Sequence, residues 1–276
     1  MKDLQFFLSL ISSNLRAKVQ ITLYKNFANT VFIGKSINYL PSCHSTNLVA
    51  VDMIKARTAE NGHIVITDDQ FAGSGQVGRS WEAMPGKNLT FSIILYHDAL
   101  AVKEQFDLNM IVSLGIHEFL SNLLNLNIEI KWPNDIFVKN NKVAGILIRN
   151  SITGNQITDS VVGIGLNVNQ TLFNAPQATS LKVLTGKEYQ LQRLLPELVL
   201  SIEKRYLVYN KKGGNPLRVD YIDKLYRRGE LQKFQIPATG FQFEGEIIGV
   251  DKIGRLSVNT GKHIEYFHFN TITFIP

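Results

Sequence analysis

The chain has 276 residues, 45% of them hydrophobic and 19% charged, with a formal net charge of +6. That is an ordinary globular composition, long enough for a real core, and it fits one large domain with a small one beside it. The single cysteine, Cys43, excludes an internal disulfide; no apolar run is long enough to span a membrane; and the positive charge, which suits polyanionic ligands, an acidic protein partner or nucleic acid, is scattered with only short pairs such as Lys211-Lys212 and Arg227-Arg228, so that no basic nucleic-acid stripe is visible.

Residues 1–30 carry weak helical patterning and no motif. Residues 1–11 are apolar with one lysine, but Asp3 sits where a secretion signal is basic and no small-residue cleavage site follows. They read as a short helix or an upstream extension. Residues 37–40 then read as a strand ended by Pro41. Ser45-Thr46-Asn47 comes next, ahead of apolar positions at helical spacing, with Ser45 or Thr46 at the N-cap. The hydroxyl and amide groups there either cap the helix or hold a small polar ligand. Cys43-His44 pairs a thiol with a base. Sequence neighbours in an extended chain point apart, and no third group orients them, so the pair reads as structural.

Residues 62–67 are β-branched and alternating, a strand that leads through Asp68-Asp69-Gln70 into Gly73-Ser74-Gly75-Gln76-Val77-Gly78-Arg79-Ser80-Trp81. Asp68 and Asp69 read as a loop edge in preference to a metal pair. Glycines let a ligand approach the main chain, and successive N–H groups in such a loop cradle anions. A strand, 88–96, follows the loop, whereas a dinucleotide fingerprint needs a helix there. Residues 106–124 carry an apolar stripe at helical spacing. Residues 128–138 read as one strand broken at Pro133, with Lys131-Trp132-Pro133-Asn134-Asp135 at the break. Asn140-Asn141 turns the chain into a second strand, Lys142-Val143-Ala144-Gly145-Ile146-Leu147-Ile148. A lysine opening an apolar strand calls for an anionic partner, the alternative being a side chain that snorkels from the strand end. Thr153-Gly154-Asn155 turns again into a strand, 161–169, whose alternating Gly163 and Gly165 suggest close approach of a ligand or another backbone. A long helix over 190–210 containing Pro196, a short helix to about 227, and short strands from Phe234 complete the chain, the strands suggesting a small β-barrel.

Taken in order, Ser45-Thr46-Asn47, Gln70 with the glycine loop, the Lys-Trp-Pro-Asn-Asp box, Lys142-Val143-Ala144-Gly145-Ile146-Leu147 and Gly163-Ile164-Gly165-Leu166-Asn167 resemble biotin protein ligases. The resemblance covers residue 31 to the end and, with no helix-turn-helix segment ahead of it, is to the monofunctional form without a DNA-binding domain. It implies an α+β fold: a mixed sheet with flanking helices, like class II aminoacyl-tRNA synthetases and biotin ligases, plus a small C-terminal SH3-like barrel. The implied division is an extension over 1–30, a catalytic domain over 31–227 and the SH3-like domain over 228–276. The implied activity joins biotin to ATP as biotinyl-5′-AMP, then transfers biotin to a lysine of the biotin carboxyl carrier protein of acetyl-CoA carboxylase.

By resemblance, Lys142 and Arg79 are the catalytic cations. Ser45, Thr46, Asn47, Gln70, Gly73, Ser74, Gly75, Gln76, Lys142 and Gly145 bind biotin. Arg79, Trp81, Lys131, Asn134, Lys142, Gly163 and Asn167 bind the nucleotide, with room left at Gly165. ATP chemistry implies magnesium, with no ligand set assigned; Asp135 stands for the metal or acceptor site or for a structural hydrogen bond. The resemblance also implies a cytoplasmic monomer or homodimer with no nucleic-acid or membrane partner. Ser74, Gln76 and Val77 stand where the family's loop often carries arginines, which weakens the expected grip on the anionic intermediate. Lipoate ligases and octanoyl transferases share the outline, but the transferase needs a cysteine nucleophile that Cys43 is badly placed to be, and Ser-Thr-Asn with Gln70 favours biotin. A non-catalytic binder would not need Lys142 and Arg79 together.

Overall fold

The computed structural model describes residues 27–76, 78 and 80–275. Most of the expected N-terminal extension, together with Val77 and Arg79 of the glycine loop, lies outside the described residues. A seven-stranded sheet has the order β1-β2-β3-β7-β6-β5-β4. Its strands are β1 (Ile37–Cys43), β2 (Ile64–Gln70), β3 (Leu89–Ala101), β4 (Ile128–Lys131), β5 (Asp135–Val138), β6 (Asn141–Thr153) and β7 (Gln156–Leu166). Only β1 and β2 pair in parallel, and helix α1 (Thr46–Lys55) makes the crossover between them that a parallel pair requires. Alternation along the strands sorts the two faces. Val65, Ile94 and Val161 meet Ala50 of α1 on one face. Ile64, Ile66, Phe91, Ile93 and Ile164 join the main core on the other, beneath α2 (Gln105–Leu123) and α4 (Leu191–Lys212). These two helices cross so closely that a Cβ on Gly115 would lie 2.6 Å from the Ile202 Cα.

Two strand expectations change. β1 runs on through Pro41, which is exposed on the edge strand, where a missing N–H costs no ladder bond. The Lys-Trp-Pro-Asn-Asp box is not a break in one strand: β4 and β5 pair antiparallel with Lys131 opposite Asp135, so the chain reverses through Trp132, Pro133 and Asn134. The reversal around Gly154 falls where the turn residues put it; that between β5 and β6 falls one residue earlier than expected, at Lys139–Asn140, with Asn141 already in β6 opposite Val138.

Short helices α3 (Leu181–Thr185) and α5 (Gly214–Asp223) flank α4. The buried carboxylate of Glu203 on α4 accepts the N–H groups of Val31, Phe32 and Ile33 at 2.6, 2.8 and 2.8 Å, which satisfies a charge taken out of water and fastens that segment to the helix.

A second, antiparallel sheet has the order β11-β10-β9-β8-β12, from β8 (Leu231–Gln235), β9 (Gln242–Val250), β10 (Leu256–Asn259), β11 (Ile264–Phe267) and β12 (Thr273–Ile275). It is consistent with the SH3-like unit expected. Residues 241–245 and 247–250 read from the sequence as two short strands, but 242–250 form the single strand β9. The β9–β10 turn docks on the first sheet's helices. Arg218 of α5 donates to the Asp251 carbonyl and, at 3.3 Å, to that of Lys252, while pairing with Asp107 of α2 at 3.1 Å. Gly254, at φ +88, lies against the Phe106 ring with no space for a side chain, and its carbonyl accepts the Trp132 indole N–H at 2.9 Å. One continuous hydrophobic core therefore includes Phe106 and Trp132 together with Phe234, Leu256 and Phe267.

Candidate active site

The pocket opens where α1 begins. Ser45, the N-cap, has extended backbone and makes no side-chain capping bond. The first amides of a helix lack intrahelical acceptors, and here the acceptor comes from β2: Gln70 Oε1 takes the Thr46 N–H at 2.9 Å and lies 3.3 Å from Thr46 Oγ1. Beneath them, the Ser92 hydroxyl donates to Asn47 Oδ1 at 2.6 Å and lies 2.7 Å from Thr46 Oγ1. Asn47 also donates to the Leu147 carbonyl at 3.1 Å and fills the space that a side chain on Gly163 would need. Sequence reasoning missed Ser92; its signal is a hydroxyl between Phe91 and Ile93, on the strand face it shares with Thr90, in an otherwise apolar run.

The glycine loop closes on itself at its base. Ser74 and Ser80 form a bridge, and the Trp81 N–H donates to the Gly73 carbonyl at 2.9 Å. A Cβ on Gly73 would meet the Trp81 carbonyl at 2.6 Å and Gln70 Nε2 at 2.8 Å, so only glycine fits this closure. The Trp81 ring then lies over a bare patch of the sheet. Gly145 and Gly165 are directly opposite each other on β6 and β7, and a Cβ on either would run into the indole. The alternating glycines thus admit the protein's own side chains, Trp81 and Asn47. Trp81 Nε1 is buried there without a hydrogen-bond partner.

Lys142 reaches the same patch. Its Nζ lies 5.5 Å from the Trp81 ring centroid and 2.6 Å from Asp135 Oδ1. This is an ion pair by distance, without the alignment of a hydrogen bond. The anionic partner that an apolar strand demands of its lysine is therefore Asp135, across the β5–β6 hairpin. Asn134 lines the pocket and is locked to β6 in both directions: its Nδ2 donates to the Ile146 carbonyl at 2.6 Å, and its own carbonyl accepts the Ile146 N–H at 3.0 Å.

Ser45, Thr46, Asn47, Gln70, Ser74, Gly75, Gln76, Trp81, Asn134, Lys142, Gly145 and Gly163 all line one pocket, with Gly165, Thr90, Phe91 and the strand residues Ile146, Leu147 and Ile164. Three expected residues stand apart: Gly73, which closes the base of the loop and does not line the pocket, Lys131 and Asn167. The Lys131 ammonium lies over the Phe137, Phe274 and Tyr226 rings, at 4.7, 5.0 and 5.7 Å from their centroids. Asn167 is buried behind the pocket wall and donates to the Thr179 carbonyl at 3.0 Å. Arg79 lies outside the described residues.

Burial pushes the Cys43 thiol above its usual range, which keeps it protonated and a poor nucleophile. Asp68 and Asp69 are engaged separately, accepting from Tyr39 at 2.6 Å and Ser42 at 3.0 Å. Among the described residues no three His, Cys, Asp or Glu side chains converge as a metal cage. A magnesium ion bound through phosphate oxygens and water asks for at most one or two carboxylates, and Asp135 is such a group at the pocket's edge.

Residues 39–167 match the biotin/lipoate A/B protein ligase family. The chain is 30% identical to a biotin–[acetyl-CoA-carboxylase] ligase of Paracoccus denitrificans over 207 residues, 70% of this chain and 82% of that one. It is 27% identical over 241 residues to the bifunctional ligase/repressor BirA of Bacillus subtilis, covering 86% of this chain and 73% of the relative. In fold it is similar to the Aquifex aeolicus biotin protein ligase in complex with biotin and ATP, with a TM-score of 0.71 at 23% identity over 87% of this chain and 99% of that one.

Proposed function

The chain belongs to the biotin protein ligase family, and on that footing we propose that the pocket between α1, the glycine loop and β6 activates biotin with ATP and hands it to a carrier protein. The reaction is an ATP-dependent ligation in two steps. A carboxylate oxygen of biotin attacks the α-phosphorus of ATP; the bond to pyrophosphate breaks and biotinyl-5′-AMP forms. A lysine amine of the biotin carboxyl carrier protein of acetyl-CoA carboxylase then attacks the acyl carbon, and AMP leaves with the electron pair of the broken C–O bond. Neither step needs a protein nucleophile, in keeping with a buried, protonated Cys43.

The work left to the protein is to hold two anions together and stabilise charge at the transferring group. The α1 N-terminus, with Ser45, Thr46 and Gln70, offers donors and acceptors to the polar ring of biotin. Lys142 sits at the junction and neutralises the repulsion between carboxylate and α-phosphate, drawing away from Asp135 as those anions arrive. Arg79 is assigned the second cation. Trp81 offers an aromatic face to adenine over the Gly145–Gly165 patch. The loop, when closed, keeps water from the anhydride. Asp135 is the carboxylate that would hold a magnesium ion brought with the nucleotide, which would supply charge neutralisation at the phosphates. The reading takes the enzyme to be a cytoplasmic monomer or homodimer that acts on a protein and not on nucleic acid; among the described residues no helix is long and apolar enough to cross a membrane.

The observation that carries the reading is convergence: residues from six separated stretches, Ser45 to Asn47, Gln70 with Ser74 to Gln76 and Trp81, Thr90 and Phe91, Asn134, Lys142 with Gly145 to Leu147, and Gly163 to Gly165, line one pocket. Pyrophosphate release from ATP that depends on biotin, followed by biotin on a carrier lysine, is the expected result. Equal release with lipoate in place of biotin, or none with biotin, overturns it.

A further inference from the structure

The Trp132 side chain points away from the pocket although the residue belongs to the motif that builds it. It is 6% exposed, its indole N–H donates to the Gly254 carbonyl of the second sheet at 2.9 Å, and its ring stands edge-on to Phe269 at 5.3 Å. The next residue is held from the same side, the Tyr221 hydroxyl donating to the Pro133 carbonyl at 3.4 Å. One residue further, the chain belongs to the pocket: Asn134 is bonded to Ile146 in both directions, and Asp135 meets Lys142. The hairpin turn is thus anchored at one end on the second sheet and at the other on the catalytic strand.

We propose that Trp132 is a positioning residue, through which the β9–β10 turn of the second sheet fixes where Asn134 and Asp135 stand and hence where Lys142 points. The proposal rests on the ligase reading above. Arg218 serves the same function from the far side, since it grips the carbonyls of Asp251 and Lys252 and so holds Gly254 in place. The α1 end of the pocket rests on β1, β2 and β3, three or more strands from β5 in the sheet order, and meets β6 through Asn47 at the Leu147 carbonyl, a bond to the strand and not to the turn. Loosening the turn should therefore misplace the reacting cation while leaving the biotin ring site intact. A misplacement of about 1 Å costs on the order of 100-fold in rate.

The test uses the full chain with Trp132→Phe, which removes the N–H and keeps a buried aromatic ring, and Arg218→Lys, which keeps the charge beside Asp107 and loses the fork. Biotin-dependent pyrophosphate release is measured, with the native fraction taken from circular dichroism of the same samples. For Trp132→Phe we expect kcat per native molecule to fall about 10-fold or more while KM for biotin stays within about twofold; Arg218→Lys should shift in the same direction. Unchanged kcat per native molecule in both variants, or a rise in biotin KM matching the fall in kcat, overturns the inference. An inactive wild-type chain overturns the ligase reading itself.

Discussion

Lys142 and Asp135 share one contact but have different tasks. Their side chains are 32% and 22% exposed, so the pair is partly screened and contributes on the order of 1 kcal/mol to stability. As the cation between two anions the lysine is worth far more: removing one such group costs roughly 100- to 1,000-fold in rate. Lys142→Ala should therefore lose adenylate formation by at least about 100-fold while lowering stability by only about 1 kcal/mol. Pyrophosphate release and a urea titration on the same sample decide it; a near-normal rate with intact fold removes Lys142 from the mechanism. Asp135→Asn separates the two tasks further, since it frees the lysine without deleting it, and should leave more activity than Lys142→Ala.

At the scale of elements, the site depends on a sheet made bare at one spot. Gly165→Ala would put a methyl group inside the Trp81 indole. The ring makes no hydrogen bond that would resist displacement, so it should move, with a red shift in its emission. The chain has two tryptophans, and because Trp132 itself positions the pocket, the shift is read as the difference between the Gly165→Ala and wild-type spectra. Aromatic contacts of this kind are worth about 1 kcal/mol, so ATP should bind on the order of 5- to 10-fold more weakly. An unchanged spectrum and KM would mean that the indole does not serve the nucleotide.

The long helices and the inner strands were legible because period and turn residues agreed, as in α2 and around Gly154. The pocket residues were legible because Lys142, Gly145 and Gly163 break apolar strands where side-chain chemistry gives no local reason. What was not legible depended on partners distant in sequence. Gln70 was expected as a ligand group, and its second role, capping a helix that starts 24 residues earlier, appears only in space. Likewise, no pattern within Lys131-Trp132-Pro133 says that the lysine turns to three aromatic rings and the tryptophan to a turn near residue 254. β11, four residues long, is too short to announce itself, and pairs because β10 supplies the edge.

Across the whole molecule, the boundary proposed near residue 228 divides the strands between two sheets, while a single core includes residues from both sides of it. A chain ending at 228 would expose Trp132 and Phe106, each worth about 1.5–3 kcal/mol of burial, against total stabilities of about 5–15 kcal/mol. We expect it to be insoluble or to lack a cooperative thermal transition, measured by circular dichroism; a wild-type transition would establish an independent first unit. Acid should unfold the full chain early. Burial lowers the pKa of His63, His97 and His117. The unfolded chain therefore binds these protons first as pH falls through about 6.5, and stability drops from there towards the lower folded values. Burial raises Asp107 and Glu129, which act in the opposite sense, in the lower range where carboxylates titrate. Urea midpoints at pH 7.5 and 5.5 check the sign: the lower pH should give the lower midpoint, and His117→Gln should shrink the difference. The nesting of Gly254 on Phe106 has a consequence for evolution and for engineering. Because that turn position admits no side chain, the second sheet is not an interchangeable cassette: a chimera carrying a relative's tail would assemble only if the graft brought a glycine to this point or the host gave up its phenylalanine, so the two positions must change together or not at all.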